Sequence, residues 1–169
     1  MRYLYQKHHT DSEKNRFEND FLRGCTVVVS KPDPLHLTRK EEHIGFSAKL
    51  VRLYFWVITF GKYRIYYLLD NDRVVHTSYL VPKCSKFPFM GKNDLEIGPC
   101  FTEEQYRRKG SYAYMLERIT TSAEYENAHF YMIVRDTNLP SVKGIEKSGF
   151  ERCGTIVRTK LLKRYIKVS

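Results

Sequence analysis

The sequence lacks any long apolar run and any apolar leader segment. A helix that crosses a bilayer needs about 18 or more apolar residues. The most apolar stretch of these 169 residues, 54–60, is less than half that long. The first nine residues also lack the apolar centre of a secretory signal peptide. We therefore expect no membrane span and a cytoplasmic location.

Cysteine is scarce and dispersed. The four residues are Cys25, Cys84, Cys100 and Cys153, and no Cys-x-x-Cys pair typical of zinc sites occurs among them. A disulfide framework is not expected in a chain of this size without an export signal. We predict four reduced and mostly buried thiols. No other ligand stands at metal-binding spacing from His8 and His9, so no metal site is expected.

Acidic residues are outnumbered, and the usual phosphate-binding glycine motifs are absent. Lys and Arg number 29 against 19 Asp and Glu, giving a net charge of +10. Such a charge predicts an anionic partner: nucleic acid, an acidic membrane or a phosphorylated ligand. Neither the P-loop pattern nor Gly-x-Gly-x-x-Gly occurs. A hydrophobic share of 42% argues against a disordered chain.

Hydrophobic patterning predicts an α+β fold with a mixed, mainly antiparallel sheet. Strands are expected at residues 25–30, 63–69, 73–81, 95–102 and 128–134, and two more between 150 and 168. Helices are expected at 38–59, after Gly110 and before Gly149. Residues 1–169 are expected to form one domain, with residues 1–24 as a loosely attached extension. Helices that interrupt a mainly antiparallel run of strands indicate this class.

The first predicted helix has a capping box and one apolar stripe. Thr38 is the expected N-cap, with Glu41 three residues later. The stripe consists of Leu50, Leu53, Tyr54, Val57 and Ile58. We interpret it as a face that packs into the core.

A basic turn joins the strand at 95–102 to the next helix. It contains Arg107, Arg108, Lys109 and Gly110, and the helix follows at once. The first N–H groups of a helix have no intrahelical partners, and the helix dipole places partial positive charge there. A glycine lets a phosphate approach the backbone closely. The turn therefore suits an anion, although basic runs are more often solvated surface.

Two motifs resemble those of the GNAT superfamily of acyl-CoA-dependent N-acetyltransferases, of the bacterial type. The first matches Gln/Arg-x-x-Gly-x-Gly/Ala and reads Arg107, Arg108, Lys109, Gly110, Ser111 and Tyr112, preceded by Tyr106. The second is an Asn followed by a short helix and Gly-Phe, here Asn138 through Gly149 and Phe150.

The resemblance implies a fold and a set of cofactor contacts. The implied fold is a central sheet splayed at a bulge, with helices on both faces, and Gly98-Pro99 stands where the bulge is expected. The implied cofactor is acetyl-CoA. Its pantetheine arm is expected on the backbone of Cys100, Phe101 and Thr102 and its pyrophosphate on the 107–112 turn. Asn138 and Ser141 match positions that face the cofactor arm.

The sequence departs from the family pattern at two positions. Tyr112 replaces the second small residue of the first motif. Ile145 stands where many members carry a tyrosine that reprotonates the CoA thiolate. We expect the general acid to be absent or to be supplied from elsewhere.

Glu96 is the candidate general base. The histone-acetylating branch of the superfamily has a catalytic Glu on this strand at the same distance before the motif, and Leu95 and Ile97 give Glu96 an apolar setting that raises a carboxyl pKa. The alternative is a carboxylate in a structural salt bridge. Cys100 has no His signature beside it and is not expected to act as a nucleophile. His76 is interpreted as a satisfied structural histidine.

The function implied is direct transfer of an acetyl group to a primary amine, with an amino sugar or another small molecule as acceptor. Backbone N–H groups near Phe101 would polarise the thioester carbonyl. Two alternatives stay open. One is a basic, aromatic-rich nucleic-acid-binding module, which is less favoured because no such motif is present. The other is a GNAT fold that binds CoA without catalysis. Association with further copies of the same chain, as a homo-oligomer, also stays open.

Overall fold

The computed structural model describes residues 1–9, 16–31, 46–160 and 164–168. Its elements in chain order are β1 (Arg2–His8), α1 (Asp20–Arg23), β2 (Thr26–Ser30), α2 (Phe46–Thr59), β3 (Arg64–Asp70), β4 (Arg73–Pro82), β5 (Leu95–Thr102), α3 (Ser111–Thr120), β6 (His129–Arg135), α4 (Leu139–Lys147), β7 (Glu151–Arg158) and β8 (Tyr165–Lys167). The predicted Thr38 cap lies outside the described residues. The strands predicted from the sequence all form, to within a few residues at their ends.

Eight strands form one sheet in the order β2-β3-β4-β5-β6-β1-β7-β8. The pairing is antiparallel everywhere except between β5 and β6, which run parallel. The predicted mixed, mainly antiparallel α+β sheet is confirmed. Asn71 and Asp72 both have positive φ at the β3–β4 turn, as a tight two-residue hairpin requires.

The prediction of a loosely attached segment at residues 1–24 was wrong for residues 2–8, and its residues 10–15 lie outside the described part of the chain. Strand β1 pairs with β6 on one side and with β7 on the other, so it is an interior strand. Leu4 and Tyr5 are adjacent in sequence and both 1% exposed. Adjacent side chains point to opposite faces of a strand, so both faces of β1 are covered. The alternation of apolar and polar residues that identifies a half-exposed strand is therefore missing from β1.

Two apolar clusters cover the two faces of the sheet, as predicted. One cluster joins the sheet to α1, α3 and α4 through residues such as Leu22, Met115 and Ile145. The other joins it to α2 through Phe55 and to the loop after β4 through Phe87. Along β3, neighbouring residues alternate between the two clusters, as the period of a strand dictates.

The prediction that the apolar stripe of α2 packs into the core was wrong for four of its five residues, and only Ile58 packs against it. Leu50 and Val57 are 50% and 55% exposed, and Leu53 and Tyr54 are also exposed. The buried face instead carries Arg52, Phe55 and Thr59. Tyrosine hydroxyl groups of the sheet explain why this face of α2 is the buried one. Arg52 donates to the hydroxyl of Tyr67 over 3.0 Å and to that of Tyr79 over 3.2 Å. The sheet thus offers a polar, aromatic surface that a guanidinium satisfies.

Candidate functional site

Strands β5 and β6 separate just after Glu96 and leave a fork in the sheet. They pair only at Leu95 and Glu96, whereas β5 stays paired with β4 as far as Thr102. The register between β4 and β5 shifts opposite the Gly98-Pro99 step, where the peptide bond is cis. The splay at a bulge predicted from the sequence is therefore present. The edge of β5 that carries Cys100, Phe101 and Thr102 has no strand partner on the β6 side.

Glu96 lies at the base of this fork. Its side chain is 6% exposed, and Oε2 is buried without a hydrogen-bond partner. Burial raises the pKa of the carboxyl group to about 8, and the positive charge of Lys86 partly opposes that shift. Burial of a carboxylate oxygen without a hydrogen-bond partner costs free energy unless a bound ligand supplies the missing partner. The predicted alternative, a structural salt bridge at Glu96, does not occur among the described residues.

Lys86 approaches Glu96 from the α2 face of the sheet, inside a group of aromatic rings. Its Nζ atom lies 4.6 Å from the ring centre of Phe55 and 5.0 Å from that of Phe87, and the rings of Tyr165 and Tyr54 are within 6 Å. Ring faces attract a cation in place of water. Burial lowers the pKa of Lys86, while the charge of Glu96 raises it. The local sequence around position 86 does not reveal this surrounding, because only Phe87 is a neighbour in sequence and the other rings come from α2 and β8.

The basic turn leads into α3 as predicted, and a Cβ atom built on Gly110 would lie 3.4 Å from the side chain of Asn19 beside α1. Gly110 precedes the helix with a φ of 85°, in the left-handed region, and no side chain caps the helix. Ser111 is 2% exposed, and its Oγ atom has no hydrogen-bond partner. A helix start without a side-chain cap, a glycine and a buried unpartnered hydroxyl suits an anion such as a phosphate.

Two cations of the turn already have partners. Arg107 donates from Nε to the carbonyl oxygen of Thr102 over 3.3 Å, which ties the turn to the end of β5. The Nζ atom of Lys109 lies 4.8 Å from the ring centres of both Phe21 and Tyr106. Arg108 is exposed, with a φ of 65°. The turn therefore stays close to the fork through Arg107, and its charges remain at the surface.

Tyr112 turns its ring toward the interior between α3 and α4. A Cβ atom built on Gly144 would lie 2.8 Å from Cδ1 of Tyr112, so Gly144 makes room for the ring. The ring centre is 6.0 Å from that of His76 on β4. Burial raises the pKa of the Tyr112 hydroxyl well above its usual value, and the neighbouring Cys100 and Glu96 add to the shift. The large residue at this motif position thus fills space beside the fork.

The second motif shapes the start of α4. Asn138 is the N-cap, and its side chain accepts a 3.4 Å hydrogen bond from the backbone N–H of Ser141. Capping of this kind is the ordinary use of Asn at a helix start. Ile145 is 1% exposed and packs in the core.

A buried polar chain beside the fork was missed by sequence reasoning. It runs from Thr102 through His76 and Ser78 to Cys100 across strands β4 and β5. The interpretation of His76 as a satisfied buried histidine is confirmed, since both ring nitrogens have partners. All four cysteines are unpaired, and they are half-buried rather than mostly buried.

Two kinds of feature are absent from the described part of the chain. None of its helices is long and apolar enough to cross a membrane. No group of three or more His, Cys, Asp and Glu side chains in residues 1–9, 16–31, 46–160 and 164–168 is placed to hold a metal ion.

The chain is similar to solved acetyltransferase structures, at low sequence identity. A possible acetyltransferase from Clostridium difficile superposes with a TM-score of 0.55 and 13% identity, over 80% of this chain and 97% of that one. A GCN5-related N-acetyltransferase from Kribbella flavida superposes with a TM-score of 0.50 and 13% identity, over 89% of this chain and 53% of that one. A functionally unknown conserved protein from Staphylococcus epidermidis superposes with a TM-score of 0.54 and 12% identity, over 89% of this chain and 57% of that one. No protein-family model and no curated protein matches the sequence.

This chain has a GNAT-like fold. Identities of 12–13% support the fold and leave the chemistry to the residues of the site. The chain spans little more than half the length of the Staphylococcus and Kribbella proteins.

Proposed function

We propose that this protein transfers an acetyl group from acetyl-CoA to the primary amine of a small molecule, such as an amino sugar. The observation that carries the proposal is the position of Glu96. A buried carboxyl group with an unused oxygen lies where β5 and β6 part, and the basic turn that follows the same strand leads to an uncapped helix start. One element thus connects a candidate base with a candidate anion site.

The residues present fit the cofactor on two observations. The unpartnered Oγ of buried Ser111 and the left-handed Gly110 form a place for phosphate oxygens at the start of α3. The unpaired edge of β5 at Cys100, Phe101 and Thr102 offers backbone groups for the amide-rich pantetheine arm. Bound acetyl-CoA supplies the activated acyl group and a thiolate leaving group.

Glu96 has the properties of a base for an amine. With a pKa near 8, its carboxyl group is partly ionised at neutral pH and accepts a proton from an ammonium of similar acidity. Lys86 holds a positive charge on the same side and keeps part of the Glu96 population ionised. The neutral amine then attacks the thioester. Glu96 passes the proton that it took to solvent, and the nitrogen releases its second proton to solvent as the amide forms.

Thermal shift and product release test the proposal. Acetyl-CoA at about a hundred times its dissociation constant is expected to stabilise the fold by about 2.7 kcal/mol. Free thiol release is then followed with a panel of amino sugars and other small amines. Stabilisation without thiol release for any amine would favour a CoA-binding protein without catalysis. No shift with millimolar acetyl-CoA, but a shift with an oligonucleotide, would favour the nucleic-acid module.

A further inference from the structure

Four side chains on two neighbouring strands are joined by three hydrogen bonds. Thr102 Oγ1 lies 2.6 Å from Nδ1 of His76, and Nε2 of His76 lies 2.8 Å from Oγ of Ser78. Ser78 then donates to Sγ of Cys100 over 3.3 Å. The cross-strand register places His76 opposite Thr102 and Ser78 opposite Cys100, so the four side chains share one face of the hairpin.

The hydrogen-bond pattern has one direction. Ser78 has a single hydroxyl proton and uses it toward Cys100, so it must accept from Nε2–H of His76. His76 is 1% exposed, and burial lowers its pKa to about 3, so the ring is neutral and carries one proton. Nδ1 therefore accepts from the hydroxyl of Thr102. Each donor points from half-buried Thr102 toward Cys100.

The series of hydrogen bonds ends at the thiol of Cys100, beside the fork. Cys100 stands on the part of β5 that β6 does not cover, close enough to Glu96 and Tyr112 for their charges to affect one another. Burial raises its pKa to about 12, so the thiol keeps its proton. Its sulfur accepts from Ser78, and its own S–H is left to donate onward.

We propose that Thr102, His76, Ser78 and Cys100 form a proton relay that supplies the general acid for the leaving thiolate. The inference rests on the proposed function and fills the role left vacant by Ile145. The S–H bond of Cys100 breaks as its proton passes to the thiolate. Ser78 reprotonates Cys100, His76 Nε2–H reprotonates Ser78, and Thr102 protonates Nδ1. Thr102 takes a proton from water, and the proton that the amine gives to Glu96 balances it in solvent.

The relay differs from a structural network in a measurable way. Nitrogen NMR of the full chain is expected to show His76 as the neutral Nε2–H tautomer between pH 5 and pH 8. Ser78→Ala removes the acceptor of that proton, so the Nδ1–H tautomer, which Thr102 can accept from, is expected to grow. A charged ring or an Nδ1–H tautomer in the unmodified protein would overturn the directed chain, whether or not acetyl transfer occurs.

Kinetics test the role of the relay. We expect Ser78→Ala to lower kcat by about 10²-fold, a typical acid–base contribution, with little change in the affinity for acetyl-CoA. Thr77→Ala is the matched control, since Thr77 lies between the relay positions on β4 and points to the other face. Should Ser78→Ala fail to fold, Thr102→Val removes the hydroxyl group at the outer end of the relay and keeps the shape of the side chain.

The outcomes separate the relay from the proposed function. An unmodified protein that releases no thiol contradicts the proposed function, while the tautomer measurement still decides whether the directed chain exists. Normal kcat in folded Ser78→Ala and Thr102→Val overturns the relay and leaves the proposed function standing. Loss of kcat in Tyr112→Phe alone would assign the proton donor to Tyr112 and overturn the relay.

Discussion

The carboxyl group of Glu96 occupies the space that a side chain at Gly98 would need. A Cβ atom built at position 98 would lie 2.7 Å from Oε1 of Glu96, closer than real contacts allow. The two residues are two positions apart on β5, so their side chains would point the same way. The glycine at the bulge thus keeps a place for the candidate base.

Gly98→Ala is expected to displace Glu96 and to destabilise the fold by about 1–3 kcal/mol, as overpacking does. Chemical denaturation measures the stability. Gly24→Ala is the control, because a Cβ there would make an ordinary 3.5 Å contact with the carbonyl oxygen of Phe21. Equal stability of the two variants would show that the contact with Glu96 costs nothing.

Glu96→Gln is expected to change the pH dependence of stability. The folded pKa of about 8 lies above the ordinary 4.5, so the folded state binds the proton more tightly. Glu96 therefore contributes stability below pH 4.5 that is lost as pH rises through about 8. Between pH 5 and pH 8.5, the melting temperature should fall further in the unmodified protein than in Glu96→Gln. Parallel curves would show that burial does not shift this carboxyl group.

The same Glu96→Gln variant tests the base in catalysis. Loss of a general base costs about 10²–10⁴-fold in rate, and the deficit is expected to shrink at high pH, where the amine loses its proton unaided. The measurement is a pH–rate profile at saturating acetyl-CoA. A folded variant with near-normal turnover would exclude Glu96 as the base.

Lys86→Met is expected to raise the pKa of Glu96 further, because the positive charge that opposes the burial effect is removed. The rise of the pH–rate profile should then move to higher pH. Lys83→Met, at an exposed position of the same loop, serves as the matched control. An unchanged profile in Lys86→Met would mean that Lys86 and Glu96 do not interact in solution.

Gly110→Asp is expected to weaken CoA binding by about tenfold or more, or about 1.4 kcal/mol. The carboxylate would compete with a phosphate for the start of α3. Gly110→Asn is the control, since Asn has the same shape and also tolerates a positive φ. Arg108→Ala should cost less, because an exposed charge is screened. Calorimetry that ranks Arg108→Ala as the more damaging change would contradict a phosphate site at this turn.

Tyr5→Ala is expected to cost about 3–5 kcal/mol of stability, as removal of a large core aromatic does. Tyr5 is 1% exposed on the interior strand β1, and its hydroxyl donates to Glu146 over 2.7 Å. Tyr3→Ala, at a half-buried position of the same strand, should cost less. A small effect of Tyr5→Ala would restore the interpretation of this segment as an attached extension.

The local pattern of residues was sufficient for most of the elements and for the connection that defines the site. Seven of the eight strands, the basic turn before α3 and the Asn138 cap of α4 all follow from interactions within a few residues. The bulge at Gly98-Pro99 likewise follows from residue types that interrupt strand pairing. Such features are short-range, so the sequence by itself determined them.

Only the tertiary structure decided which strands are neighbours and which face of α2 is buried. The place of β1 between β6 and β7 depends on partners more than 120 residues away, which a local pattern does not contain. The aromatic rings around Lys86 come from separate segments. The hydrogen bonds from Thr102 to Cys100 likewise join two strands. Their chemistry depends on burial and on cross-strand register. Both arise when the sheet closes, because desolvation and pairing are properties of the packed molecule.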